Sequence, residues 1–225
     1  MEPEKPLIDT RARGIGRLAW TGLLITTLLL LLAALLAGVK LRGALGKPLP
    51  VIGPVGDFTL TNQLGKQVSL ADLRGRVWVA DIIFTRCAGP CPRMTRQMKE
   101  LQDGLAPSTS TQLISLTTDP VFDQPAVLKT YADRFGAKEE RWLFLTGTPK
   151  QIEALAVNSL KLTAIENKPE QRQDPEDLFV HSTIFVVVDR QARLRGVFET
   201  TGEDIDAQRV KGQILAAVRR LEREP

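Results

Sequence analysis

The distribution of apolar and polar residues divides the chain into three stretches. Residues 18–39 form a run of 22 residues without a charged side chain. Residues 40–56 are rich in Gly and Pro and lack periodicity, which is typical of a semi-extended linker. From residue 57 onward, apolar residues recur with the periods of strands and helices. The pattern therefore predicts a membrane-length apolar segment, a linker and one globular domain at 57–225.

The apolar run at 18–39 has the properties of an uncleaved membrane anchor. As an α-helix it would span about 33 Å, enough for the ~30 Å hydrocarbon core of a bilayer. A cleaved signal peptide is the alternative, but its apolar region is shorter, about 7–15 residues, and small residues precede the cleavage site. Cleavage after Ala37 would put Leu35 where a small residue is expected. We therefore expect a single-pass transmembrane helix preceded by a short cytoplasmic tail, residues 1–17.

Strand-like and helix-like patterns alternate within the predicted domain. An N-terminal β-hairpin is followed by β-α-β-α-β-α and then by β-β-α. This order is typical of an α/β sandwich of thioredoxin-like type, with helices on both faces of one sheet. The predicted elements are hairpin strands at 58–61 and 67–70, a buried strand at 77–84, a helix at 92–105, a strand at 113–117, a helix at 125–135, a strand at 142–145, a helix through 157 opened by Thr148 and Pro149, an exposed loop at 166–177, strands at 179–188 and 193–198, and a helix at 205–221.

Composition and charge narrow the classes of function. The chain is 43% hydrophobic and 25% charged, which is ordinary for a packed globular protein. A disordered chain and a disulfide-stapled miniprotein are both excluded. The net charge of +4 comes entirely from residues 1–47, with seven basic and three acidic side chains, whereas 48–225 are balanced. The charge therefore does not require a basic face on the domain, and we expect no nucleic-acid partner.

Both cysteines of the chain lie between a predicted strand and the helix that follows it. Ligands bind at the carboxyl ends of strands in open α/β sheets, so Cys87 and Cys91 occupy a favourable place for a site. If both lie in the first helical turn, their i, i+4 spacing presents the sulfurs on one face. Helix amides, with Arg86 and Arg93 nearby, would then favour the thiolate. The only histidine, His181, lies in a later strand that this topology can bring close to them.

Two thiolates and one imidazole form a three-ligand set that suits copper. A structural zinc site usually takes four protein ligands, and the sequence offers no apparent fourth. A plain disulfide beside a structural histidine is an alternative. Two redox alternatives are a thiol–disulfide oxidoreductase, although the spacing is C-x-x-x-C rather than C-x-x-C, and a peroxidase of peroxiredoxin type, suggested by Thr85 close to Cys87.

Three stretches resemble a known family: FTRCAGPCPRM, TTDPVFDQP and VHSTIFVVVDRQARLRG. With the preceding anchor, residues 53–221 resemble the SCO/SenC family of membrane-anchored copper proteins. The resemblance implies a thioredoxin-like domain that binds copper, as Cu(I) or Cu(II), through Cys87, Cys91 and His181. It also implies a role in assembling the dinuclear copper centre of cytochrome c oxidase.

The same resemblance singles out two carboxylates. Asp119, Asp123 and Pro125 match the family pattern D-x-x-x-D-[TS]-P, with Gln124 in place of Ser or Thr. Asp119 is expected to orient the metal ligands without binding the metal itself. Asp123 either has a similar role or caps the following helix. The family often has Asp before the histidine, where this chain has Val180, and Pro-Asp or Pro-Glu after the first cysteine, where this chain has Ala-Gly-Pro.

We therefore expect a metallochaperone that delivers copper to the dinuclear centre of cytochrome c oxidase. The alternative is a membrane-tethered thiol–disulfide oxidoreductase that reduces the cysteines of a copper-protein client through a redox-active pair, and enzymatic activity is expected only in that case. Expected partners are the copper-accepting subunit of a terminal oxidase and an upstream copper donor or thiol reductant.

The tail contains Glu2, Glu4 and Asp9, unlike an acidic-poor mitochondrial transit peptide. We expect a bacterial inner membrane location, with the C-terminal domain in the periplasm.

Overall fold

The computed structural model describes residues 20, 22–36, 48–162, 164–166, 179–181, 183–202 and 205–224. The chain divides into two compact units, Met1–Pro48 and Leu49–Pro225. In the first unit, residues 22–36 form a helix, α1, whose leucines are exposed. None of the described helices combines the length and apolar character needed to cross a membrane. The predicted anchor extends beyond α1 into residues outside the described ones, and it stays a prediction.

The described part of the second unit contains an eight-stranded sheet, a two-stranded sheet and five α-helices. In chain order the elements are β1 (Gly53–Pro54), β2 (Thr59–Asn62), β3 (Gln67–Ser69), α2 (Leu70–Leu73), β4 (Trp78–Ile83), α3 (Pro90–Gly104), β5 (Gln112–Thr117), α4 (Pro125–Arg134), β6 (Trp142–Thr146), α5 (Pro149–Glu153) with a π-helical continuation (Ala154–Ser159), β7 (Ala164–Glu166), β8 (Phe179–His181), β9 (Ile184–Val188), β10 (Arg193–Glu199) and α6 (Ala207–Leu221).

The large sheet has the strand order β1-β10-β9-β4-β5-β6-β2-β3. β4, β5 and β6 run parallel, so their carboxyl ends lie at one edge of the sheet. β9 pairs with β4 in the antiparallel sense, with Ala80 opposite Val186. The predicted N-terminal hairpin forms as β2 and β3, and β2 joins the sheet through β6. The start of β9 therefore lies at the edge where β4 ends.

Two hydrophobic cores cover the two faces of this sheet. Trp78, Ala80 and Ile82 of β4 belong to one core, which includes apolar side chains of α2 and α5. Val79 and Ile83 belong to the other core, which includes side chains of α3, α4 and α6. Successive side chains of a strand point to opposite faces, so a strand covered on both sides is apolar throughout. The predicted α/β sandwich with helices on both faces is confirmed.

The local signals for helices also agree with the structure. α3 buries Met94, Met98 and Leu101, whose spacing repeats every three to four residues on one face. α5 begins after Thr148, whose hydroxyl accepts a hydrogen bond from the backbone N–H of Gln151 at 3.3 Å. The Gln151 side chain accepts in return from the Thr148 backbone at 2.8 Å, which completes a capping box.

The predicted strand at 179–188 is wrong as one continuous element. The structure divides it into β8 and β9, and β8 pairs with β7 in the separate two-stranded sheet. The hydrogen bonds between the β9 and β10 strands end at Thr183. Its carbonyl accepts from the backbone N–H of Thr200 at 2.8 Å and from the Thr200 hydroxyl at 2.7 Å. Residues before Thr183 therefore leave the large sheet.

The end of the predicted linker is attached to the sheet. The backbone N–H of Ile52 donates to the carbonyl of Leu194 at 2.8 Å, and that of Val55 donates to Ala192 at 2.9 Å. The Arg195 guanidinium binds the carbonyl of Leu49 at 2.7 Å. Residues 49–55, which the Gly/Pro composition places in a linker, thus form the outer border of the sheet.

Candidate metal centre

The two cysteines lie on either side of the start of α3. Cys87 is in the turn after β4, where its backbone N–H donates to the carbonyl of Phe84 at 3.2 Å. Cys91 is in the first turn of α3, whose N-cap is Gly89 and whose first residue is Pro90. The two cysteines therefore do not share the first helical turn, which was the condition for the i, i+4 arrangement of their sulfurs. Proline is tolerated there because first-turn amides lack an intrahelical acceptor, so Pro90 is compatible with a helix start between the cysteines.

The two thiols contact each other in a largely buried site. Cys87 is 9% exposed and Cys91 is 0% exposed, and neither forms a disulfide. A hydrogen bond with the Cys87 side chain, together with burial, raises the pKa of the Cys91 thiol well above its ordinary value. A thiolate favoured by helix amides was expected only if both cysteines lay in the first turn; that condition is not met, and the pKa of Cys91 is shifted in the opposite direction. The Cys91 thiol therefore loses its proton readily only when its sulfur binds a metal ion or forms a disulfide.

Asp123 joins the cysteine turn to the neighbouring strand. The carboxylate accepts hydrogen bonds from the Thr85 backbone N–H at 3.1 Å, from the Thr85 hydroxyl and from the Thr117 hydroxyl at the end of β5. Burial raises the pKa of Asp123, although these hydrogen bonds act in the opposite direction. Asp123 is not the cap of α4, because Gln124 is the N-cap residue. It is a buried link between the ends of β4 and β5.

Asp119 holds the residue that precedes Cys87. Its carboxylate lies 2.5 Å from the guanidinium of Arg86, and that guanidinium lies over the ring of Phe122, 4.2 Å from the centroid. The Arg86 side chain is therefore bound to the loop after β5. Asp119 and Asp123 together fasten residues 85 and 86, on the amino-terminal side of Cys87, to this loop.

A buried carboxylate on β4, which the sequence analysis missed, lies beneath the cysteines. Asp81 is fully buried and accepts a hydrogen bond from the Ser115 hydroxyl at 2.6 Å. The indole N–H of Trp142 donates to the same hydroxyl at 3.0 Å. The negative charge of Asp81 is a further cause, smaller than the Cys87 hydrogen bond and burial, of the raised pKa of Cys91. A lone acidic residue in the apolar run VWVADIIF was the available signal.

A buried tyrosine supports the helix that carries Cys91. The hydroxyls of Tyr131 and Thr95 are 2.9 Å apart, and the Thr95 hydroxyl also donates to the backbone carbonyl of Cys91 at 2.8 Å. Burial raises the pKa of Tyr131, and the two cysteines add to the effect through their charge. This contact connects α4 to the first turn of α3.

His181 is the last residue of β8, and its backbone is paired with Ala164. β9 begins at Ile184 and runs antiparallel to β4, so the chain passes His181 just before entering the large sheet at the edge where the cysteine turn begins. The side chain of His181 is outside the described ones. Among the described residues, no group of three or more His, Cys, Asp and Glu side chains could hold a metal ion. The Cys–Cys–His ligand set stays a prediction.

Several known proteins are similar to this chain. The SCO1/SenC family model matches residues 52–217. An SCO1 protein homologue of Bacillus subtilis is 40% identical over 162 residues, which is 69% of this chain and 81% of that protein. The structure of BsSco, a member of the Sco family of cytochrome c oxidase assembly proteins with an identified disulfide switch, matches with a TM-score of 0.65 and 29% identity, covering 80% of this chain and 100% of that one. Bradyrhizobium japonicum ScoI, solved with copper bound, shares the fold with a TM-score of 0.61 and 23% identity over 75% of this chain and 99% of that one.

Proposed function

The chain belongs to the SCO1/SenC family, and from that premise we propose that it is a copper chaperone which delivers copper to the dinuclear copper centre of cytochrome c oxidase during assembly. The observation that carries the proposal is the contact between the thiols of Cys87 and Cys91, which are not joined in a disulfide, at the carboxyl end of β4. Thiolates are soft ligands that select copper over hard cations. The copper-bound ScoI structure and the oxidase-assembly family of BsSco support the same conclusion.

The proposed ligands of copper are Cys87, Cys91 and His181. Copper bound between the two sulfurs would replace the proton that the Cys91 thiol otherwise retains, which links metal loading to proton release. The sheet register favours His181 as the third ligand, because its backbone lies just before the strand that pairs with β4. Copper is cargo in this proposal, so three ligands rather than a closed four-ligand shell suit a metal that must leave.

Asp119 and Asp123 are proposed to position the cysteine turn rather than to bind copper. Their partners are Arg86 and Thr85, the two residues before Cys87. By fixing this turn against the end of β5, the carboxylates limit the positions that the Cys87 sulfur can take. A metal site held in this way keeps its geometry after the cargo has left.

A second candidate function is reduction of a disulfide in a copper-protein client. The contact between the Cys87 and Cys91 side chains favours it, because the pair can close a disulfide with little movement. In that reaction the two thiols supply two electrons and two protons, the client disulfide becomes two thiols, and Cys87 and Cys91 become a disulfide. The disulfide switch of BsSco supports this alternative.

The proposed location is the bacterial inner membrane, with the cysteine-containing unit in the periplasm. The proposal rests on the uncharged run at 18–39 and on a chemistry in which an oxidase subunit accepts copper from this chain and an upstream protein supplies copper or reducing equivalents. A C-terminal reporter that is active only outside the cytoplasm should be active in living cells. Activity of a cytoplasm-only reporter at the same position would contradict the orientation.

Copper binding by the full chain in a non-ionic detergent tests the proposed function. Competition with chromophoric chelators measures the affinity for Cu(I) and Cu(II). We expect Cys87→Ser and Cys91→Ser each to abolish stable binding, and His181→Ala to weaken it strongly. Thr148→Ala, which changes a cap at α5, is the control and should bind like the wild type. Full affinity in either serine variant would refute the ligand set, and a wild type that reduces client disulfides but binds no copper would favour the second function.

A further inference from the structure

Both proposed chemistries require direct contact with a partner at buried sulfurs. Copper exchange and thiol–disulfide exchange each need a sulfur of the partner to reach Cys87 or Cys91. Cys87 is 9% exposed and Cys91 is 0% exposed. A partner can therefore reach them only by covering the residues that surround the opening. The chemistry of those residues indicates which partners fit.

Uncharged side chains on two neighbouring loops surround the opening. Residues 88–90, between the cysteines, are exposed and are Ala, Gly and Pro. On the loop after β5, Val121 is 79% exposed and Phe122 is 43% exposed. The Arg86 guanidinium, stacked on Phe122, connects this loop to the cysteine turn. The exposed residues of these two loops are thus mainly apolar, with the Arg86 guanidinium, paired to Asp119, between them.

The charged residues in the chain segment that contains the cysteines have one sign. Between Asp81 and Glu100 every charged residue is basic: Arg86, Arg93, Arg96 and Lys99. Lys99 is paired with Asp103 at 2.6 Å and Arg86 with Asp119 at 2.5 Å. Arg93 and Arg96 are exposed on the first turns of α3, and no described carboxylate pairs with either of them.

The nearby carboxylates do not cancel this charge at the surface. Asp123 is 0% exposed, and its carboxylate is directed to the Thr85 and Thr117 hydroxyls. Asp119 is largely buried against Arg86. We call the surface formed by residues 88–90, Val121, Phe122, Arg93 and Arg96 the site face. It combines apolar loop residues with two arginines that no described carboxylate pairs.

We propose that the site face docks a protein partner whose own copper-binding or disulfide-forming cysteines are bordered by aspartate and glutamate side chains. This inference rests on the proposed function, because a partner is needed only if the cysteines exchange copper or electrons. Opposite charge steers such a partner to the opening, and the apolar loop residues exclude water at contact. Arg93 and Arg96 lie within about one Debye length of Cys91 at physiological salt, so they act on the encounter.

Copper transfer to two synthetic peptides tests the inference. Both peptides share one Cys-x-x-x-Cys sequence, flanked by aspartates in one and by lysines in the other. Copper(I) passes from the full chain in non-ionic detergent to each peptide and keeps its oxidation state, and the two protons that leave the peptide thiols are balanced by two taken up by Cys87 and Cys91. We expect transfer to the acidic peptide to be roughly 10-fold faster at low salt, and the difference to shrink as salt rises.

Matched substitutions assign the preference to the site face. Arg93→Glu combined with Arg96→Glu should reverse it in favour of the lysine peptide. Arg219→Glu changes another exposed arginine, near the end of α6. The neighbouring Glu222 carboxylate accepts a hydrogen bond from the Thr111 hydroxyl just before β5, so this part of α6 lies at the opposite end of the sheet from the cysteines. This control should leave the preference unchanged. Val121→Ser should slow transfer to both peptides several-fold, because it removes an apolar contact without a charge change.

The copper affinity of each variant separates the two proposals. Val121→Ser and Arg219→Glu should bind copper as tightly as the wild type, because neither changes a proposed ligand or a charge near the cysteines. For the Arg93 and Arg96 variant the readout is the ratio of the two transfer rates, which a change in copper affinity affects equally for both peptides. Absence of copper binding in the wild type would refute the proposed function. Normal copper binding with equal transfer rates to the two peptides would refute the acidic partner alone. The acidic partner would also be refuted if Arg93→Glu with Arg96→Glu weakened binding to phosphatidylglycerol vesicles but left the transfer preference between the two peptides unchanged.

Discussion

Replacement of Asp123 by alanine tests how the cysteine turn is held. The carboxylate accepts hydrogen bonds from the Thr85 backbone N–H at 3.1 Å and from the hydroxyls of Thr85 and Thr117. Asp123 and Thr117 are both fully buried. Without the carboxylate, the Thr117 hydroxyl and the Thr85 N–H lose their acceptor in a place that water does not reach easily. Asp123→Ala should therefore destabilise the fold and loosen the turn that precedes Cys87.

The size of the effect follows from the number of hydrogen bonds lost. A buried donor left without a partner costs about 1–3 kcal/mol, so we expect Asp123→Ala to lower the free energy of unfolding by about 3 kcal/mol. At about 2–4 °C per kcal/mol for a domain of this size, Tm should fall by about 6–12 °C in a calorimetric scan. Asp133→Ala is the control, because among the described residues its exposed carboxylate pairs only with Lys129, and such pairs contribute less than about 1 kcal/mol. If the two variants melted together, the structural role given to Asp123 would be refuted.

The pH dependence of Asp123→Asn provides a second test of the same residue. Burial raises the pKa of Asp123, so the folded protein holds this proton to a higher pH than the unfolded chain does. Wild-type stability therefore decreases as pH rises above the ordinary carboxyl pKa of about 4 and through the raised value. Asparagine does not ionise. The stability of Asp123→Asn relative to the wild type should thus increase from about pH 4 to pH 7, measured by urea unfolding, and a decrease over that range would contradict the raised pKa.

Three further substitutions test separate parts of the account. Thr148→Ala removes the N-cap of α5 and should cost about 1 kcal/mol in urea unfolding, with no change in copper affinity. Met98→Ala opens a cavity in the core under α3 and should cost about 2–5 kcal/mol by the same measurement. Asp81→Ala leaves the buried Ser115 hydroxyl without its carboxylate acceptor and should cost about 1–3 kcal/mol by the same measurement; unchanged stability would mean that this buried hydrogen bond contributes little to the fold.

The hydrophobic pattern was sufficient to predict most of the fold. The run that became β4 is apolar at nearly every position because helices cover both faces of the sheet. Met94, Met98 and Leu101 have helical spacing because α3 packs one face on that sheet. These signals depend on neighbours in sequence, and for that reason periodicity alone identifies them.

Contacts between residues distant in sequence could not be predicted from this pattern. The link from Asp123 to Thr85 spans 38 positions, and periodicity contains no information on such a pair. The break before β9 depends on Thr200 closing the hairpin at Thr183, another contact between separate elements. One missed feature was predictable: α3 begins at Pro90, two residues before the predicted start at 92, and proline is favoured at the first position of a helix.

X-ray absorption of the copper-loaded full chain tests the central claim most directly, because it identifies the atoms bound to the metal. The account predicts two sulfur ligands and one imidazole nitrogen in the wild type. His181→Ala should lose the imidazole signal and keep both sulfurs, whereas Cys87→Ser and Cys91→Ser should each lose a sulfur or bind no copper. Copper bound with fewer than two sulfur ligands in the wild type would contradict the proposal that Cys87 and Cys91 hold the cargo.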